Sequence, residues 1–169
     1  MDNVIDFDIK SYEPLQDFEP LPKNQYVLRI TDAKLNLTNK GKVQGTGERA
    51  IRLDLMVTEG EHKGRVIFDF LNVENASEKA QDYARRKLRT ICTILDKVDI
   101  FSIKKDLNIL IGGVIGADIL VDNTMQKPTN KINFYLRAEK VVDIRVAGVQ
   151  SDQISDSGKN NELNDDIPF

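Results

Sequence analysis

One amphipathic stretch, residues 75–95, constrains the fold more than any other part of the sequence. Its apolar residues recur at steps of three and four, which lines one face of a helix. These residues are Ala76, Ala80, Tyr83, Ala84, Leu88, Ile91, Cys92 and Leu95. Asn75 is the predicted cap of this helix, with Glu78 as its capping-box partner. The segments before and after it have a different periodicity.

Apolar and polar residues alternate with a period of two in five segments, which predicts five strands. The predicted strands cover about residues 25–37, 50–59, 65–73, 114–121 and 131–139. A bend near Asp32 and Ala33 is expected to shift the register of the first strand, as a small barrel requires. A single helix between three strands and two is the order of an OB fold. The sequence therefore predicts a mainly β, OB-fold-like five-stranded barrel with one helix between strands 3 and 4.

The third predicted strand is apolar on both faces. Val66, Phe68 and Phe70 lie on one face, and Ile67 and Leu71 lie on the other. Strands of this kind are usually covered on both sides. We therefore expect a helix, a loop or a ligand across the outer face of this strand.

Charge is distributed unevenly along the 169 residues. Residues 1–20 carry six acidic side chains and one lysine, and residues 151–169 carry five acidic side chains and one lysine. Residues 21–150 keep 22 basic and 16 acidic side chains. This pattern is typical of a polyanion binder with acidic ends, although ordinary solvated charge explains it equally well. We predict an acidic extension at 1–20, a nucleic-acid-binding domain at 21–146 and a disordered acidic tail at 147–169.

Catalytic and metal-binding motifs find little support in the sequence. It contains one histidine and one cysteine, and Cys92 falls on the apolar face of the predicted helix. The glycine-rich loop at 39–48 lacks the GK[ST] ending of a nucleotide-binding loop, and the glycines at 112–116 precede a strand rather than a helix. We expect no enzyme and no cofactor. We also expect a cytoplasmic protein without a membrane span.

The predicted fold itself indicates where a nucleic acid would bind. OB barrels bind single strands across strands 2 and 3, between the loops that join strands 1–2 and 4–5, here residues 39–48 and 122–130. Basic side chains there would contact phosphates, and aromatic side chains would stack bases. The aromatic candidates are Phe68, Phe70 and either Tyr135 or Phe134. At least half of these four residues are expected to fill the core instead. The predicted nucleic-acid-binding residues are Arg29, Lys40, Lys42, Arg49, Arg52, Arg65, Phe68, Phe70, Lys127, Lys131, Tyr135 and Arg137.

The end of the chain carries a more specific motif. Its last five residues are Asp165, Asp166, Ile167, Pro168 and Phe169. They resemble the acidic, Pro-Phe-ending tip of bacterial single-stranded-DNA-binding proteins. In such a tip, the phenylalanine enters an apolar pocket of the partner protein that is rimmed by arginine or lysine. The aspartates contact the surrounding basic side chains. The resemblance implies a partner-binding tip that recruits replication and repair proteins.

Residues 20–140 resemble a bacteriophage family that was long described as a domain of unknown function and is taken to be single-stranded-DNA-binding proteins. The motifs that carry this resemblance are Pro20–Pro22 leading into Tyr26–Ile30, then Glu59–Arg65, and Ala84–Leu88 in the helix. The resemblance implies an OB fold that binds single-stranded DNA without marked sequence preference, in phage DNA replication, recombination and repair inside the bacterial host. The sequence leaves both a monomer and a homo-oligomer open.

Two other functions remain open at this point. One is an OB-like adaptor that reaches host or phage replication proteins through the tail and does not bind DNA directly. The other is an inhibitor that imitates the host tail. Clustering of the basic side chains between the two loops would favour DNA binding, and their scattering would favour the adaptor.

Overall fold

Five antiparallel strands form one sheet in this computed structural model, which describes residues 6–14, 19–38 and 48–143. The strands are β1 (Asn24–Leu37), β2 (Arg49–Val57), β3 (Val66–Glu74), β4 (Val114–Asp122) and β5 (Thr129–Leu136). Two α-helices, α1 (Glu78–Ile94) and α2 (Val98–Lys104), lie between β3 and β4. Short 3-10 helices occur at Ile9–Ser11, Leu107–Leu110 and Ala138–Lys140. The predicted order of strands and helix is confirmed, with α2 as an additional helix.

The long strand β1 organises the sheet, whose order is β3-β2-β1-β4-β5. Its first half pairs with β4, and most of its length pairs with β2. The register with β2 shifts between Ile30 and Asp32, close to the predicted bend. Such a bulge increases the local twist and allows one strand to serve two sides of a barrel. This is the arrangement of an OB-fold-like barrel with β3 and β5 at its open seam.

The core lies on the concave side of the sheet. Alternate residues of β1 and β2, including Leu28, Ile30, Leu53 and Leu55, are fully buried there. The apolar face of α1 closes one end through Ala84, Ile91 and Cys92. Burial raises the pKa of the Cys92 thiol, as expected for a core cysteine.

Helix α1 begins two residues later than predicted, and its cap is a different residue. The Ser77 hydroxyl accepts a hydrogen bond from the Ala80 amide, which makes Ser77 the cap in place of Asn75. The Asn75 side chain instead accepts a hydrogen bond from the Ser77 amide. Asparagine and serine side chains both accept hydrogen bonds from free backbone amides at a helix start. Here Asn75 binds the amide of Ser77, and Ser77 binds the amide of Ala80 inside the first turn.

A buried polar network joins α1 to both strands at the seam. The Lys87 ammonium lies 2.8 Å from the Asp69 carboxylate of β3, and the Tyr135 hydroxyl donates to the same Asp69 oxygen at 2.7 Å. The Lys87 and Asp69 side chains are each only 13% exposed. Lys87 also donates to the Ile132 carbonyl of β5 at 3.4 Å. One lysine therefore connects α1 to β3 and β5, the two edge strands, which are not neighbours in the strand order of the sheet.

Several predictions concern residues outside the described ranges. They are the glycine-rich loop at 39–47 with Lys40 and Lys42, the start of the acidic extension, and the acidic tail with Asp165, Asp166, Ile167, Pro168 and Phe169.

Candidate nucleic-acid interface

The outer face of β3 is the most exposed apolar surface of the sheet. Phe68 and Phe70 retain 46% and 60% of their surface, and Val66 retains 43%. The alternation along the strand requires this, because Ile67 and Leu71 point into the core. The expected cover is not supplied by any described residue, so this strip of Val66, Phe68 and Phe70, the β3 strip, faces solvent.

An open groove of about 610 Å³ runs beside the β3 strip. Its opposite wall is formed by the loop between β4 and β5, and Ile67 is among its lining residues. The lining residues are Glu19, Pro20, Arg65, Val66, Ile67, Phe68, Phe70, Met125, Pro128, Thr129 and Asn130. The groove is thus mostly apolar, and its charged lining residues are one cation, Arg65, and one carboxylate, Glu19.

Hydrogen bonds fix the segment that forms the end of this groove. The Leu21 amide donates to the Asn130 side chain at 2.8 Å, and the Asn130 side chain donates to the Leu21 carbonyl at 2.9 Å. Arg65 donates to the Glu19 carbonyl at 2.5 Å. These bonds anchor the lead-in before β1 to the starts of β3 and β5, so the groove has a fixed wall at this end.

Arg52 of β2 lies directly against the β3 strip. Its guanidinium carbon is 4.4 Å from the centroid of the Phe68 ring, within the range of a cation–π contact. The same guanidinium pairs with Asp54 at 2.8 and 3.2 Å. Exposed ion pairs of this kind contribute about 0–1 kcal/mol, so a phosphate can compete with Asp54 for the guanidinium.

The other predicted cations are divided between the groove and distant positions. Lys127 lies in the β4–β5 loop between Met125 and Pro128, which line the groove, and Lys131 follows the lining residue Asn130 on β5, but neither lysine lines the groove itself. Arg29 is exposed on the outer face of β1, opposite Met56 of β2. Five of the predicted basic residues therefore lie on or near one side of the barrel: Arg29, Arg52, Arg65, Lys127 and Lys131.

Arg49 and Arg137 lie elsewhere, each with an acidic partner. Arg49 makes a two-bond contact with Glu74, at the end of β3 away from the groove. This contact raises the pKa of Arg49 and lowers that of Glu74. Arg137 follows the far end of β5 and lies 3.6 Å from Asp96. The structure does not bring these two predicted residues to the groove.

Tyr135 is a core residue, so its prediction as a stacking platform is corrected. It is 7% exposed, and its hydroxyl is bound to Asp69. The cause is a register shift in β5, where Phe134 pairs with Asp118 but Ile132 pairs with the adjacent Ile119. The extra residue reverses the alternation, so Tyr135 points inward and Phe134 is 46% exposed.

The sequence pattern did not identify two residues near the β3 strip as part of the candidate site. Tyr83 of α1 is 59% exposed, although its spacing placed it on the apolar face. Asp69 occupies an inward position of β3 between Ile67 and Leu71. A charged residue on the buried side of an alternating strand was the available signal, because such a group requires a partner.

The described parts of the chain contain no candidate metal cluster and no candidate membrane-spanning helix. No group of three His, Cys, Asp or Glu residues within 6–14, 19–38 and 48–143 is arranged to hold a metal ion. In the same ranges, neither helix is long and apolar enough to cross a membrane.

Residues 6–143 match a protein family described as "Protein of unknown function (DUF669)". The match covers the described sheet and both helices. No curated protein matches the chain.

Proposed function

The chain belongs to the DUF669 family, and from this premise we propose that it binds single-stranded DNA without marked sequence preference along the groove beside β3. The observation that carries the proposal is the pair of exposed rings, Phe68 and Phe70, on one face of one strand. Stacking on such rings contributes about 1–3 kcal/mol per base and does not discriminate between bases. The protein acts as a binding module rather than an enzyme.

The spacing of the two rings suits consecutive contacts along one strand. Residues two apart on a β-strand lie on the same face, roughly 6.8 Å from each other. Arg52 beside Phe68 and Arg65 at the start of β3 supply cations for the phosphates. Lys127 and Lys131, which are next in sequence to the lining residues Pro128 and Asn130, supply further cations near the opposite wall.

The resemblance described above supplies the biological setting of the proposal. The protein coats single strands during phage DNA replication and recombination, in the cytoplasm of the bacterial host. The segment Asp165–Phe169 recruits replication and repair proteins through its acidic and Ile-Pro-Phe residues. This part of the proposal rests on sequence alone.

Fluorescence anisotropy of a labelled oligo-thymidine strand tests DNA binding directly. We expect tight binding to the single strand, weak binding to a duplex and a slope of log affinity against log salt of about −2 to −3. That slope corresponds to three or four neutralised phosphates at about 0.7 each. Arg65→Ala is expected to make the slope shallower by about 0.7.

Substitution of the rings locates the site. Phe68→Ala and Phe70→Ala are each expected to weaken binding about 5- to 150-fold, the effect of losing one base stack. Phe134→Ala is the matched control, because its ring is as exposed as that of Phe68 but lies outside the groove. No binding at low salt by the intact protein or by a protein lacking residues 165–169 would exclude the proposal.

A second candidate function is the adaptor that does not contact DNA. Ion pairing favours it, because the guanidinium groups of Arg49, Arg52 and Arg137 each already have a carboxylate partner. The apolar β3 strip would then contact a protein. The anisotropy experiment separates the two functions, since the adaptor predicts no strand binding by any variant.

A further inference from the structure

We propose that the bound strand leaves the groove at Phe70 and continues onto helix α1, where Tyr83 stacks a further base. This inference rests on the proposed function and adds a second segment to the same site. It differs from the path expected for an OB barrel, which crosses the sheet from β3 towards β2 and β1.

A cleft between α1, β3 and β5 continues the groove. It has a volume of about 200 Å³, and Phe70, Tyr83, Lys87 and Lys131 are among its lining residues. Phe70 lines the groove and the cleft, so its ring is shared by the two. A strand stacked on Phe70 therefore has Tyr83 as the next exposed ring along the same surface.

Charge in the cleft is compatible with a nucleic-acid backbone. Lys131 is exposed at the rim, and the Lys87 ammonium lies 6.0 Å from the Tyr83 ring centroid. The one carboxylate among the lining residues, Asp69, is already neutralised by Lys87 at 2.8 Å. A phosphate at the rim would thus meet the Lys131 cation, which also interacts with the Asp122 carboxylate at the end of β4.

The path across the sheet is less favourable because it offers no further exposed ring. Beyond Phe68, the outer face carries Asp54 of β2, and then Asp32 of β1 opposite Asp54. Their cationic neighbours, Arg52 and Lys34, are held in ion pairs with them. The outward residues of β2 from 52 to 56 are Arg52, Asp54 and Met56, which offer no aromatic ring. The lack of rings beyond Phe68 on the sheet directs a single strand towards α1 and Tyr83 instead.

A single tryptophan tests this path, because the natural sequence contains none. Tyr83→Trp places the only indole in the cleft, and a stacked base is expected to quench its fluorescence during titration with oligo-thymidine. Ile103→Trp is the control, since Ile103 is 83% exposed on α2. Helix α2 packs near Arg85 and Arg89, which lie about 200° and 240° around α1 from Tyr83 at 100° per residue. The indole of this control is expected to remain unquenched.

Oligonucleotide length supplies the second readout. OB folds cover about 4–16 nucleotides, so thymidine strands across this range sample one segment or both. Tyr83→Ala is expected to weaken binding of the longest strands about 5- to 150-fold and to leave the shortest strands unchanged. Because Tyr83 is exposed, this variant is expected to melt like the natural protein.

The outcomes separate this inference from the proposed function. Suppose that the natural protein binds the strand, but the indole of Tyr83→Trp is not quenched and Tyr83→Ala has no effect. That result would overturn the path and leave the function intact. An equal loss for short and long strands would place Tyr83 at the first contact and also overturn the path. No strand binding by the natural protein would refute both and leave the cleft as a protein-docking surface.

Discussion

Replacement of Lys87 by methionine tests the buried network that closes the barrel seam. Lys87→Met keeps a long side chain but removes the ammonium that lies 2.8 Å from Asp69. Removing one partner of a buried ion pair costs about 3–5 kcal/mol. The pair is 13% exposed, and the Tyr135 hydroxyl still donates to Asp69 at 2.7 Å, so we expect the low end, about 3 kcal/mol.

Urea unfolding followed by circular dichroism measures this loss. At a slope of about 2 kcal/mol per molar urea, a loss of 3 kcal/mol lowers the midpoint by about 1.5 M. Arg86→Met on the adjacent helix position is the matched control, since it removes the exposed ion pair with Asp82. Pairs of that type contribute about 0.3–0.5 kcal/mol. The control is expected to unfold close to the natural protein.

A double variant distinguishes a lost pair from lost packing. Lys87→Met with Asp69→Asn removes both charges, and the amide oxygen of the introduced asparagine can still accept the Tyr135 hydroxyl bond. Removing both partners of a buried pair is often close to neutral, so the double variant is expected to recover stability relative to Lys87→Met alone. A Lys87→Met protein within about 1 kcal/mol of the natural one, or a double variant less stable than the single one, would refute the reasoning.

Three further predictions address the seam, the sheet and the tail. Burial, followed by the negative charge of Asp69, raises the pKa of Tyr135 well above 10. The tyrosine therefore ionises in the unfolded chain at a lower pH than in the folded protein. The free energy of unfolding falls as the pH rises past about 10. Tyr135→Phe is expected to remove that part of the alkaline loss when urea midpoints at about pH 9 and pH 11 are compared. A Cβ at Gly116 would lie 2.5 Å from the Val141 side chain, so Gly116→Ala is expected to cost about 1–3 kcal/mol in thermal melts. Deleting residues 165–169 is expected to abolish partner pull-down with DNA binding equal or tighter, and weaker DNA binding would contradict the role of the tip.

Element type was predictable from the sequence because periodicity is a direct consequence of burying one face. The inward residues of β2, such as Leu53 and Leu55, were assigned from alternation alone and are fully buried. The start of α1 was not, because Asn75 and Ser77 are both good caps and periodicity does not choose between them. Their actual roles depend on which amide each oxygen reaches.

The candidate site was less predictable, because the alternation of apolar and polar residues in a sequence does not reveal where a β-bulge will occur. One extra residue in β5 exchanges the orientations of Phe134 and Tyr135, and so decides which ring is exposed. The same limit applies to the cations. Arg49 and Arg52 belong to one strand, yet only Arg52 lies against the β3 strip, because Arg49 reaches the end of β3 and pairs with Glu74.

The β3 strip and the seam network together support the binding role that we propose for β3. As an edge strand with exposed apolar residues, β3 has the composition that promotes unwanted association, and edge strands usually carry charges to prevent it. Here the inward edge charge, Asp69, is used within the protein to hold α1 and β5, and the outward positions keep Phe68 and Phe70. The strand is therefore fixed in place from the inside while its outer rings stay exposed. A fixed strand loses little conformational entropy on binding, so more of the stacking energy is available for affinity.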